Sequence, residues 1–379
     1  MNLAGKVNYH TIPAFFLSLF LGISQSVRGA VDIIFDYSYD TSGFFTSEAK
    51  YVMDQAAFAF ESRLANQTLG SMIPADYNST AVGKLVIENP TTGADLNVTF
   101  GSTTSRGNIV GKENEIIIFP GARAVGTSYV GKYTSEYNFG DTDLSDSYWT
   151  YIDSRDELGD DPPVFGGSLS MNSDLDWYFD TNLTSHSDAL NSGKYDFYSA
   201  VIHQLGHFFG FDSWMYATDY LWDENYTVFE STNVTNEYSG NGVPVVYESG
   251  TNGLNFGDLN TSLINCDCHP AMVEFNSTNT RIPFSDLDFA VLKDVGFTIS
   301  NAPISNIGGT YTDPTLGGTY YLPVKESYSS WLSSNPTAAP EPHYVFPIMG
   351  GVIAILASRK KRPISKILTW LNKSCFFKS

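Results

Sequence analysis

The chain contains only six histidines, and two of them, His203 and His207, stand four residues apart. They lie in Asp196-Phe-Tyr-Ser-Ala-Val-Ile-His203-Gln204-Leu-Gly-His207-Phe-Phe-Gly210-Phe211, where Phe197, Val201, Leu205 and Phe208 keep helical spacing and Asp196 is a suitable N-cap. On a helix, residues i and i+4 project side by side. Two imidazoles so placed can bind one tetrahedral metal ion, with bonds of about 2.1 Å holding their Nε2 atoms about 3–4 Å apart. Gly210, just past the apolar run, lets the chain leave the helix sharply. The competing reading is a pair of histidines packed on a partly buried helix face, which requires no such geometry.

A second cluster, Cys266-Asp-Cys268-His269, offers thiol and imidazole donors that suit zinc or copper. Three donors within four residues rarely close around one ion, so a surface loop with free or strained, bridged cysteines is the favoured reading. With three cysteines in all, the chain has no disulfide framework, and its stability must come from the core.

The elements that must position the histidines follow from hydrophobic patterning. Val31-Asp-Ile-Ile-Phe-Asp-Tyr alternates as a strand does, and Ser47 opens a helical pattern with Val52, Ala56, Ala59, Phe60 and Leu64 near one face. Lys84 to Ile87, Leu96 to Phe100 and Glu115 to Phe119 are further strand candidates between Gly-, Asn- and Thr-containing turns. Asp286, Asp288 and Asp294 read as caps and surface groups of a helix. From Thr298 to Ala339 the texture changes to Gly, Ser, Thr and Pro, with a short echo, Gly308-Gly309-Thr-Tyr and Gly317-Gly318-Thr-Tyr. That stretch reads as a linker or a small appended piece, so residues 31–297 form the main domain.

The charge is unevenly spread. Residues 31–358 hold all 41 acidic residues but only 12 of the 21 basic ones. So negative a surface repels phosphate backbones and argues against nucleic-acid binding. Residues 1–30 read as a secretory signal peptide, with Lys6, the apolar run Ile12 to Ile23, and Val27 and Gly29 at −3 and −1 of a cleavage point. An N-terminal membrane anchor is the alternative. At the other end, Pro340-Glu341-Pro342 precedes an apolar stretch from Tyr344 to Ala357 and then Arg359-Lys360-Lys361-Arg362. The basic cluster favours a cytoplasmic end for a short inner-membrane segment.

Two resemblances give these patterns a family context. The His203–Gly210 segment resembles the HExxHxxG zinc-binding helix of metzincin-type metallopeptidases, in the leishmanolysin-like arrangement whose third ligand lies far downstream. Asn172 to Phe179, Ala271-Met272, Phe284 to Phe297 and Val31 to Phe45 are similar to bacterial members of this group, so the likeness covers most of residues 31–297. It implies an α+β, metzincin-like fold: a twisted mixed sheet, an active-site helix beneath it and a Met-turn. It also implies that His203 and His207 bind Zn2+ and that Met272 is the Met-turn residue. Residues 340–362 resemble the PEP-CTERM sorting signal of Gram-negative bacteria, and 363–379 form a basic tail longer than that pattern usually carries. This second resemblance implies an exosortase-type sorting enzyme as a partner and an exported, cell-envelope or extracellular location.

The chain departs from the peptidase pattern at two points. The residue after the first histidine is Gln204 where the family has Glu. That position takes a proton from metal-bound water and passes it to the leaving amine, which an amide cannot do at neutral pH. General acid–base groups contribute roughly 10²–10⁴-fold, so about 3–5 kcal/mol of barrier lowering is lost. The third ligand also departs. Ser213 stands where compact metzincins place His or Asp, with Asp212 beside it, and Asn255-Phe256 occupies the place of a His–aromatic pair. His269, three residues before Met272, is the other candidate. The expectation is an exported zinc-peptidase homologue with impaired or absent proteolysis that binds polypeptide or extracellular matrix material. A weak but active zinc metallopeptidase and a non-catalytic matrix protein are the alternatives.

Overall fold

A computed structural model of the chain describes residues 31–64, 68–73, 84–105, 107–126, 129–134, 136–138, 164–183, 192–211, 228–244, 259, 270–273, 278–279, 281–300, 309–312, 319–322 and 324–335. The architecture is α+β, built on a small mixed sheet. Its first strand, β1 (Asp32–Phe35), pairs in parallel with β4 (Glu115–Arg123), which pairs in parallel with β7 (Gly166–Asn172); β5 (Gly131–Thr134) closes the sheet antiparallel to β7. On one face lies a second, antiparallel sheet in which β2 (Lys84–Glu88) is flanked by β3 (Asp95–Thr99) and β6 (Glu136–Asn138).

The alternation within β4 shows why it sits centrally. Ile116, Ile118 and Ala122 face one apolar cluster, while Ile117 and Phe119 face another with Leu85, Ile87 and Val98 of the second sheet. A strand buried on both faces must be apolar nearly throughout, and β4 is.

The other face of the mixed sheet carries two helices, α1 (Ser47–Arg63) and α2 (Phe197–Phe208). Thr46 caps α1 by accepting from Ala49 N–H, and the predicted face of Val52, Ala56, Ala59, Phe60 and Leu64 is wholly buried. Phe60 stacks on Phe209 just past α2, at 5.0 Å between centroids and 9° between planes, and meets Phe284 at 4.6 Å. Aromatic pairs of this kind contribute about 0.5–1.5 kcal/mol each beyond their buried area. They fix α2 against α1.

The smaller described elements are β8 (Trp177–Tyr178) paired in parallel with β9 (Tyr195–Asp196), β10 (Val228–Phe229) paired antiparallel with β11 (Val243–Pro244), and helices α3 (Thr232–Glu237) and α4 (Asp286–Asp294). In the stretch 298–339, the Gly-Gly-Thr-Tyr echo supplies both strands of a hairpin, β12 (Gly309–Thr312) and β13 (Thr319–Leu322), with Tyr311 opposite Tyr320. Beyond it, α5 (Tyr328–Ser334) lies against α1. Trp331 and Val324 are buried in the main core, Trp331 Nε1 donates to Asp54 (2.6 Å) and Tyr51 OH donates to Glu326 O (2.9 Å). Part of the expected linker is therefore packed on the domain.

Two carboxylates differ from their expected surface role. Asp288 is fully buried, and Asp294 accepts from Ser231, Asn233 and Val234, capping the first turn of α3 from another helix. Asp286 is the exposed one, paired with Arg63 at 2.9 Å. Among the described residues no helix is long and apolar enough to cross a membrane. Residues 1–30, the residues of the expected sorting signal Pro340, Glu341, Pro342, Arg359, Lys360, Lys361 and Arg362, and the tail 363–379 lie outside the described residues.

Candidate metal centre

The helix that carries the histidines begins and ends as its sequence predicts. Asp196 is its N-cap, accepting from Ser199 N–H (3.1 Å) and Ser199 Oγ (2.6 Å). At the other end Gly210 takes φ +115°, Gly210 N–H donates to His207 O and Phe211 N–H to Gly206 O. That is the paired hydrogen bonding of a Schellman turn, and a side chain would be strained at this φ. The turn carries the Phe211 carbonyl back over the last helical turn, where it accepts from His207 Nδ1.

His203 is oriented in a parallel way from a distant segment. Its Nδ1 lies 2.9 Å from the carbonyl oxygen of Ala271, so the ring donates there. Carbonyl oxygens only accept, so each ring carries a proton on Nδ1 and turns its Nε2 toward the other ring. The two Nε2 atoms face each other at 3.1 Å, with the rings nearly perpendicular at 86°. Two zinc–nitrogen bonds of about 2.1 Å at a tetrahedral angle would span about 3.4 Å, close to the separation found. The donor set fits zinc as far as it is described: two imidazole Nε2 atoms converging on one point, each ring held from behind by a carbonyl, as metal-bound histidines usually are.

Met272 lies beneath this pair. It is completely buried, and a Cβ added to Gly206, between the histidines, would overlap its Sδ and crowd Phe284. A side chain at 206 would thus have to displace the Met272 thioether and the Phe284 ring that pack on α2. That segment is held by Asp288, whose Oδ2 accepts from Ala271 N–H (2.8 Å) and whose Oδ1 accepts from Met272 N–H (3.2 Å). The same carboxylate accepts from Ser285 N–H and Oγ, completing a capping box at the start of α4. Burial pushes the Asp288 carboxyl up to about 6, against the opposing pull of these hydrogen bonds.

The edge strand covers the helix from the sheet side. Tyr133 of β5 stacks on the His207 ring at 4.8 Å and 7°, and two residues earlier Gly131 lies against Gln204, where a Cβ would sit 3.3 Å from Gln204 Cγ. Gln204 is buried, and its Oε1 has no hydrogen-bond partner among the described residues.

The structure therefore brings His203, Gln204, His207 and Met272 together. Asn255, His269, Asp212, Ser213, Cys266 and Cys268 lie outside the described residues, and among the described residues no three His, Cys, Asp or Glu side chains converge. Sequence reading missed Tyr133 and Arg281. Tyr133 had no local signal, since the β5–α2 contact joins residues some seventy positions apart. Arg281 stood out only as a base in an acid-rich chain. The Ala271 and Phe211 carbonyls belong to the backbone and leave no mark in composition. Comparison with protein-family models, with curated proteins and with solved structures finds no match to this chain.

Proposed function

We propose that the chain is an exported, metzincin-like zinc-peptidase homologue whose proteolysis is impaired or absent. The observation that carries this reading is the His203–His207 pair, with Nε2 atoms 3.1 Å apart and both Nδ1 atoms on backbone carbonyls. The convergence of the two Nε2 atoms, with each ring held from behind by a carbonyl, is the arrangement two histidine ligands of one metal ion adopt. Met272 beneath Gly206 and the mixed sheet above α2 further support it.

His203 and His207 would hold the zinc ion, and the third ligand would come from Asn255, His269 or Asp212. When bound, zinc supplies Lewis acidity toward a water or carbonyl oxygen. The chain's own part is limited by Gln204. Its carboxamide can donate and accept hydrogen bonds but takes up no proton at neutral pH, so no general base stands at this position.

A polypeptide is the ligand class we assign. Among the described strands β5 is an edge of the sheet, and it runs beside both Gln204 and His207. An extended chain can pair with such an edge through its backbone. Export and retention at the envelope rest on residues 1–30 and 340–362, with an exosortase-type enzyme and the inner membrane as partners.

Cleavage of an unfolded protein by the native chain and by Gln204→Glu tests the reading. The native chain should cleave at least a hundredfold more slowly than Gln204→Glu, whose activity a chelator should abolish. Equal, chelator-sensitive cleavage by both would make the protein an ordinary active peptidase.

A further inference from the structure

Arg281 is a fully buried charged side chain, held among the described residues by two carboxylates and an aromatic face. Its Nε and Nη2 donate to the two oxygens of Asp196 at 3.0 and 2.6 Å, and its Nη1 donates to Asp180 at 2.8 Å. The side-chain exposures of the three groups are 0%, 0% and 2%. The guanidinium also lies 5.8 Å from the Tyr198 ring centroid. Burial lowers the arginine's affinity for its proton, and the two carboxylates more than offset this, leaving it above its ordinary value.

A buried ionic triad is a poor way to gain stability, because desolvation consumes most of the attraction. Its use is geometric: a planar fork fixes the relative position of the groups that it spans. Here one fork end is the N-cap of α2. The next residue, Ile282, donates its N–H to Ser199 Oγ (2.7 Å), itself bonded to Asp196. Three residues on, Ser285 donates its N–H to Asp288, which accepts from Ala271 N–H and Met272 N–H, and Ala271 O holds His203. The 281–288 segment is thus tied to the start of α2 by Arg281 and to the acceptor of His203 by Asp288.

Resting on the metal-site reading, we propose that Arg281 is a positioning residue of the metal centre: by pinning the first turn of α2 to the 281–288 segment, it sets the Ala271 carbonyl at the distance that orients His203 for metal. It touches no ligand atom itself.

The test compares zinc affinity, measured by competition with a chromophoric chelator, in the full-length native chain, Arg281→Met, Arg281→Lys and Asp36→Ala. All are assayed at a temperature where circular dichroism shows each to be folded. Asp36 is a buried carboxylate on the far side of the sheet, hydrogen-bonded to Ser38 N–H and Ser105 Oγ, so its variant controls for lost stability alone. Zinc affinity should fall at least tenfold in Arg281→Met and at least threefold in Arg281→Lys, whose ammonium keeps the charge but cannot span two carboxylates. It should be unchanged in Asp36→Ala. If Arg281→Met does not fold, Arg281→Lys decides alone. Native-like affinity in the folded Arg281 variants would overturn the inference and leave the metal site standing; no zinc bound by the native chain would overturn both.

Discussion

At the residue scale the centre depends on backbone carbonyls more than on charged neighbours. Phe211 O and Ala271 O each accept from an imidazole Nδ1 and turn its Nε2 toward the other ring. Gly210 is the sharper case. Its φ of +115° costs a side chain about 1–3 kcal/mol. Gly210→Ala should therefore lower stability by that amount in urea unfolding and weaken zinc binding several-fold, because Phe211 O leaves His207. Unchanged zinc affinity in a destabilised Gly210→Ala would show that the Phe211 contact is incidental. Gln204 belongs to the same scale: its shape suits the buried place beside Gly131, and only its chemistry differs from a carboxylate.

At the element scale, the helices that hold the site were legible where the apolar period was strong. Asp196 to Phe211 announces a capped helix with a glycine exit, and Ser47 to Leu64 an amphipathic one, because both signals are local. What was not legible is what distant segments make by approach, Tyr133 on His207 and the burial of Asp288, while Met272 entered only through the family resemblance. A carboxylate in a capping pattern looks like a surface group until the 271–273 backbone is seen to lie over it. The docking of 324–335 on α1 was hidden for a related reason, since a Gly/Ser/Thr texture conceals Trp331 and the tyrosines that do the packing. Helix α1 also carries a testable electrostatic feature. Glu61 accepts from Ile33 N–H (2.9 Å), and burial pushes its carboxyl up to about 7. Lys325 and that hydrogen bond oppose the shift, while Asp32 and Asp54 add to it. The folded state holds this proton more tightly than the unfolded state, so the group's stabilising contribution is full below about pH 4.5 and lost as the pH rises through about 7. Urea midpoints of the native chain should therefore fall between pH 5 and 8, and Glu61→Gln should remove much of that slope. Asp288, raised to about 6, acts in the same direction at lower pH and leaves a residual slope. An identical pH profile in Glu61→Gln would show that Glu61 is not the source.

At the scale of the whole molecule, the sheet, the two helices and the 270–273 and 281–288 segments converge on one feature, the facing imidazoles. The α+β class was expected only from the family resemblance, while the histidine pair was readable in the sequence because it rests on helical periodicity. The third ligand was not, because it depends on which of Asn255, His269 and Asp212 the chain brings back to the helix. The central claim is that His203 and His207 form a metal site, and zinc stoichiometry tests it most directly. Mass spectrometry under native conditions on the full-length chain, the His207→Ala variant and the His203→Ala/His207→Ala double variant should find about one zinc per native chain and none in either variant. A native chain free of zinc, or a double variant that keeps its zinc on the Cys266-Asp-Cys268-His269 cluster, would contradict it.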